Sequence, residues 1–144
     1  MQLTQFTDYS LRVLIYLGKK QNQATVHEIS TFFNVSRNHL VKVVHNLSQK
    51  GMIESYKGKA GGIRLPEKTL KLKLGEIVEV LEPNFELVEC FNAETNTCPI
   101  IGICGLEKIL IKAHRSFMGE LNEYTLGDLI QKSAVHSAPK GIDV

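Results

Sequence analysis

At Gly51 a run of helical periodicity stops and a different pattern begins, and that change limits the folds open to this chain. The segment MIESYKGKAGGIRLP holds two β-prone runs, residues 52–56 and 63–65, around a basic, glycine-rich tip, Lys57-Gly58-Lys59-Ala60-Gly61-Gly62. That pattern reads as a hairpin with a flexible turn. Three helical stretches precede it. The first is expected over residues 7–20, capped by Thr7, with Asp8 at its positive end and an apolar face of Leu11, Leu14, Ile15 and Leu17. The second, Val26–Phe33, follows Thr25 as N-cap, with Glu28 at capping-box spacing. After a tight turn at Asn34-Val35, Ser36 is expected to cap a third helix over residues 37–50. Its core positions are Leu40, Val43, Val44 and Leu47, and Gly51 closes it at C′. Helix, helix, helix, hairpin is the order of a winged helix-turn-helix. The fold class is mainly α with a small β-hairpin wing.

Charge supports a division of labour. Residues 1–73 hold 12 Lys/Arg against 4 Asp/Glu, and residues 74–144 hold 5 against 11, so net charges of +8 and −6 lie under the chain's +2. A basic first half suits nucleic acid. A recognition helix places its N-terminal residues against base edges. Here those are Arg37, Asn38 and His39 behind Ser36, with Lys42 one turn on. Arg and Asn pair bidentately with guanine and adenine. The wing adds Lys57, Lys59 and Arg64 around three glycines, a narrow basic finger suited to phosphates and the minor groove. A solvated helix face and a solubilising tip would also be polar. The arrival of the wing at the right distance favours the DNA reading.

Beyond the wing, a short helix over 74–81 is stopped by Pro83, and 85–91 reads as strand or loop. A long helix is expected over 106–123, apolar at Leu106, Ile109, Leu110, Ala113, Phe117 and Leu121, with Ile111 and Met118 on a second face. A helix apolar on two sides must bury both, so one side wants a partner chain. Thr125 is expected to cap a last helix ending near Lys132. The plan is a DNA-binding unit (1–73), a linker helix and cysteine loop (74–105), a dimerisation helix with a short C-terminal helix (106–132), and a disordered tail (133–144).

Cys90, Cys98 and Cys104 are the chain's three cysteines, spaced Cys-x7-Cys-x5-Cys in a polar segment. An odd number argues against a closed disulfide framework and for a reducing cytoplasm. The start lacks a basic and apolar leader pattern, and no apolar run is long enough to span a bilayer. Structural zinc sites use tighter Cys pairs and four protein ligands, so a zinc-stapled module is the secondary reading. Three thiolates suit an iron–sulfur cluster with one iron left to a weaker donor. Glu107, three residues after Cys104, is one candidate donor. Asp8, with Arg12 at i+4, is another, though that pair could equally be a plain helix ion pair. The five histidines show no metal-ligand pairing and read mostly as surface residues; only His39 stands out, by position. No nucleophile–base constellation, phosphate loop or paired carboxylates suggest an enzyme.

Four stretches together carry a resemblance: LTQFTDYSLRVLIYL, VSRNHLVKVVHNLSQKGMIES, KGKAGGIRL, and the cysteine trio ending in CGL before a long helix. They are similar to the IscR-type family of iron–sulfur winged-helix regulators, over residues 1 to about 132. VECF together with NHLVKV is most similar to the family's nitric-oxide-sensing repressors. The resemblance implies a cytoplasmic homodimer with crossed long helices on a palindromic double-stranded DNA operator. It implies Cys90, Cys98 and Cys104 as cluster ligands and Asp8, from the other subunit, as the fourth, with Arg12 in support. The cluster expected is four-iron (4Fe-4S), with a two-iron form (2Fe-2S) as the alternative. The signal implied is nitric oxide, with iron or cluster supply as the other family option. IscR-like members place a histidine where Glu107 stands, and many relatives carry an arginine in the wing where this chain has Lys57.

Overall fold

The computed structural model describes residues 2–58 and 61–132. Seven helices and one hairpin follow in order: α1 (Gln5–Lys20), α2 (Val26–Phe33), α3 (Arg37–Gln49), β1 (Glu54–Tyr56), β2 (Gly62–Arg64), α4 (Glu67–Leu70), α5 (Leu74–Leu81), α6 (Gly105–Asn122) and α7 (Leu126–Lys132). A single 3-10 turn, Glu89–Phe91, lies in the loop before α6.

Helix α1 starts two residues earlier than its sequence suggests, and its N-cap three residues earlier. Thr4, not Thr7, is the N-cap, and its hydroxyl accepts the Thr7 amide at 3.3 Å. Both threonines are good caps, and a distant residue decides between them. Glu82, almost fully buried at the end of α5, accepts the Thr4 amide at 3.0 Å and the Thr4 hydroxyl at 3.2 Å. The carboxylate thus meets the positive end of α1, and Thr7 is drawn into the core. Helix α2 matches its sequence signals. Thr25 caps it, and Asn34, in the left-handed region at φ 51°, ends it. Helix α3 ends as expected on Gly51, at φ +67°. Ser36 does occupy its N-cap position, but its hydroxyl makes no capping bond.

The hairpin is shorter than its β-prone runs, because Met52 and Ile53 turn inward to the core instead of pairing. Its register pairs Glu54 with Arg64, Ser55 with Ile63 and Tyr56 with Gly62. Ile63 also exchanges backbone bonds with Ala24, tying the wing to the α1–α2 connection. Helix α4 has no counterpart in the sequence reading; four residues carry no periodicity. Its Thr69 is buried and donates to the Met52 carbonyl at 2.8 Å.

One core joins these elements. Val13, Leu14 and Leu17 of α1 meet Ile29, then Leu40, Val43 and Leu47 of α3, with Ile63 of the wing. Ile77 and Leu81 of α5 and Leu126 of α7 complete it. The α7 start is set by a reciprocal pair: Thr125 donates its amide to Asp128, and Asp128 donates its amide to the Thr125 hydroxyl. Helix α6 packs along α5, with Gly75 allowing the approach of Asn122. Yet no residue of α6 is fully buried, and Leu106 and Ile109 are 58% and 66% exposed.

Removing the Glu82 carboxylate strands the Thr4 amide and the first turn of α1. Glu82→Ala should therefore cost about 1.5–3 kcal/mol, as for hydrogen bonds to a charged group. Urea unfolding measures it, and a change under about 0.5 kcal/mol would show that the tie carries no weight. A second tie links α1 to α2. Glu28 accepts from Lys20 and, at 2.6 Å, from the Tyr16 hydroxyl, and these bonds, Lys20 first, hold its carboxyl below the ordinary range. A lowered folded pKa means stability that is present above the unfolded value and lost as pH falls through the folded one. The melting difference between wild type and Glu28→Gln should therefore be largest at neutral pH and shrink as acidification protonates the Glu28 carboxylate in the folded protein. A difference independent of pH would contradict the assignment.

Candidate DNA interface and cysteine loop

Helix α3 turns Leu40, Val43, Val44 and Leu47 inward, which leaves Arg37, Asn38, His39 and Lys42 exposed on one face with Ser36 at its start. The uncapped Ser36 hydroxyl stands at a positive helix end, where it is free to meet a phosphate. Behind this face, the His39 ring stacks on Tyr9 of α1, with centroids 6.4 Å apart and planes at 29°. The Arg12 guanidinium lies 5.8 Å from the Tyr9 ring and 5.8 Å from the Phe33 ring. Arg12 also holds Asp8 in a forked pair, Nη2 to Oδ2 at 2.8 Å and Nε to Oδ1 at 3.1 Å. Asp8, Arg12, Tyr9 and His39 thus form a continuous line of contacts from the first turns of α1 to the exposed face of α3. Spacing left Asp8 and Glu107 both open, and only the family resemblance singled out Asp8 with Arg12; Tyr9 was missed, and its aromatic ring one residue after Asp8 was the available signal.

On the wing, Lys57 is exposed, and Lys59 lies outside the described residues. Arg64 is not a free cation. Its Nη2 donates to Glu54 at 3.1 Å and to the Tyr56 hydroxyl at 2.9 Å, and its guanidinium lies 5.4 Å from the Tyr56 ring centre.

The cysteine loop is built by polar clips that composition did not reveal. The Glu89 carboxylate accepts both the Thr97 amide, at 2.7 Å, and its hydroxyl, at 2.6 Å, and these bonds hold its pKa below the ordinary range. Asn92 donates to Glu86 at 2.9 Å, and Asn96 receives the Cys98 amide at 3.0 Å. Cys90 sits in the 3-10 turn, Cys98 follows the clip, and Cys104 is the N-cap of α6. All three are free, half-buried thiols. Partial burial pushes the Cys90 thiol up, and the negative charge of Glu107 adds to it, ahead of Cys98 and Cys104. Metal binding there must displace a proton. His114 departs from its expected surface place. It packs against Phe85 and Phe91, with ring centroids at 5.4 and 6.5 Å, because Phe91 beside Cys90 is anchored on α6.

Among the described residues, no three Cys, His, Asp or Glu side chains converge closely enough to enclose a metal ion, and Asp8 does not join the thiols within the chain. In kind, however, three free thiols on one clipped loop fit a sulfur-held cluster. Nor is any helix among the described residues long and apolar enough to cross a membrane.

An exposed recognition face and a basic hairpin beside it define a winged-helix transcriptional regulator. The sequence pattern of the Rrf2 family, described as an iron-dependent transcriptional regulator, matches residues 3–132. This chain belongs to that family, whose members are regulators and not enzymes. It is 46% identical over 132 residues to the HTH-type transcriptional regulator NsrR of Halalkalibacterium halodurans, covering 90% of each chain. It is 41% identical over 133 residues to the regulator of the same name from Bacillus subtilis, covering 91% of each. In fold it resembles CymR, the global cysteine regulator of B. subtilis, with a TM-score of 0.72 at 23% identity, covering 92% of this chain and 98% of that one.

The two basic elements should fail differently. Arg37→Ala should cost about 1–3 kcal/mol on selected DNA and relax base preference at one position. Lys57→Ala should weaken all duplexes alike and lower the salt slope by about 1. Competition binding across a salt series measures both; equal loss of discrimination in the two variants would refute the division.

Proposed function

We propose that this chain is a homodimeric transcriptional repressor whose operator binding depends on an iron–sulfur cluster and is relieved by nitric oxide. The observation that carries this reading is the line of contacts from Asp8 through Arg12 and Tyr9 to His39, which gives a ligand position on α1 a physical route to the DNA-reading face. Cys90, Cys98 and Cys104 of one subunit would hold the cluster, with Asp8 supplied by the second. When bound, the cluster contributes an iron site, carboxylate-held and so more open than a thiolate-held one, at which nitric oxide can bind. The four-iron form is the expected one.

The residues of this chain do the rest. Arg12 orients Asp8 by its planar fork. His39 is stacked on Tyr9, so a shift at Asp8 changes how the start of α3 is presented. The uncovered apolar side of α6, with Leu106 and Ile109, suits a second copy of the same helix. A dimer would set two recognition helices one DNA turn apart, about 34 Å. The name of the family, iron-dependent, favours a second reading in which iron supply itself is the signal.

Anaerobic purification should give a brown protein containing iron and little zinc. Its affinity for a duplex recovered by selection from random sequence should fall at least tenfold on adding nitric oxide. Cys98→Ala should lose iron and the same affinity together. A zinc-loaded protein, or iron-loaded and iron-stripped forms with equal operator affinity, would overturn the reading. Loss of affinity on iron removal without any response to nitric oxide would select the iron-supply reading.

A further inference from the structure

We infer that Glu54 and Tyr56 are positioning residues that preset Arg64 on the flank of the wing for hydrogen bonding to a DNA phosphate. The inference deepens the proposed DNA-binding role and rests on it. An acidic residue on a DNA-facing hairpin is otherwise a liability, because it repels the phosphates its neighbours attract. Here one of its oxygens, Oε2, is engaged by two donors. Glu54 and Arg64 are direct cross-strand partners. The Glu54 Oε2 accepts from the Tyr56 hydroxyl at 2.6 Å and from Arg64 Nη2 at 3.1 Å, and the Tyr56 oxygen lies 2.9 Å from the same Nη2. The Tyr56 ring also lies beside the guanidinium, at 5.4 Å. One nitrogen of the guanidinium, Nη2, is thus tied down by two oxygens, with an aromatic ring alongside. Its Nε and Nη1 donors have no partner among the described residues. An arginine fixed in this way presents its remaining donors without first losing its side-chain freedom, and a charge-assisted hydrogen bond from either of them to a phosphate oxygen is a strong one. All three side chains are exposed, so the arrangement buries nothing for the core. Its chemistry is spent at the surface.

The test turns on sign. If Glu54 were an ordinary surface carboxylate, Glu54→Gln would remove a repulsive charge and tighten DNA binding. If it positions Arg64, Glu54→Gln weakens binding to the selected duplex at least threefold and lowers the salt slope by about 1, as Arg64→Ala does. Tyr56→Phe keeps the ring and loses the hydroxyl, and should weaken binding two- to fivefold. Glu54→Gln placed on Arg64→Ala should then weaken nothing further, and melting curves confirm that each variant is folded. Unchanged or tighter binding by Glu54→Gln, or a full additional loss on the Arg64→Ala background, would overturn the inference. Were Arg64→Ala itself silent while Arg37→Ala still lost base preference, the inference would fall and the DNA-binding reading would stand.

Discussion

The side chain of Arg12 is where two demands on this fold meet. Its guanidinium satisfies a carboxylate on one side and faces two aromatic rings on the other. A carboxylate at Asp8 alone would be a mobile surface charge. Paired with a planar fork, it acquires a fixed direction, and Tyr9, touching the same guanidinium, passes that direction to His39. Lysine could not replace Arg12 here, since an ammonium offers neither the fork nor a flat face to stack. The whole line lies at the surface, with Asp8 and Arg12 each 44% exposed, so its strength is that of a surface ion pair, about 1 kcal/mol or less. In the proposed function, weak coupling of this kind suits a contact that would rearrange.

Rigid and adjustable parts are separated in the same way throughout. The core of α1, α3, α5 and α7 is aliphatic and closed around Leu14, Leu47, Ile77 and Leu126. Close packing of that kind is not continuously deformable. The recognition face, the wing and the cysteine loop are instead held by exposed polar clips: Arg12 with Asp8, Arg64 with Glu54, and Glu89 with Thr97. The scaffold places these parts, and the clips set their fine orientation.

Much of this was legible in the sequence. Periodicity located α2, α3, α5 and α6 to within a residue or two, and the glycine-rich tip marked the hairpin. What failed to show were pairings between distant positions. The start of α1 was misplaced because Glu82 chooses between Thr4 and Thr7, and no local signal joins residues 78 positions apart. The reach of Arg64 to Glu54 depends on strand register, which fixes that pairing only once the turn is known. The anchoring of Phe91 on His114 requires α6 to lie under the cysteine loop. In each case composition supplied the right side chain and only the fold supplied its partner.

Energetics narrow how such a regulator could switch. Near-complete reversal of a two-state equilibrium needs a differential of about 5.5 kcal/mol. Surface clips at about 1 kcal/mol or less apiece cannot supply that, even added together. Two larger sources remain in the proposed function. One is ligation by three thiols, whose binding free energy would be coupled to the conformation of the loop. The other is the apolar side of α6, where Leu106 and Ile109 stand more than half exposed beside Ile103 at 84%. Covering such side chains is worth about 1.5–3 kcal/mol each when complete. In the proposed function, the loop carrying Ile103 also carries the cysteines, so ligation there would bear directly on that surface. A change at the thiols would then alter the dimer contact, and with it the spacing of the two recognition helices, while the aliphatic core stays as it is.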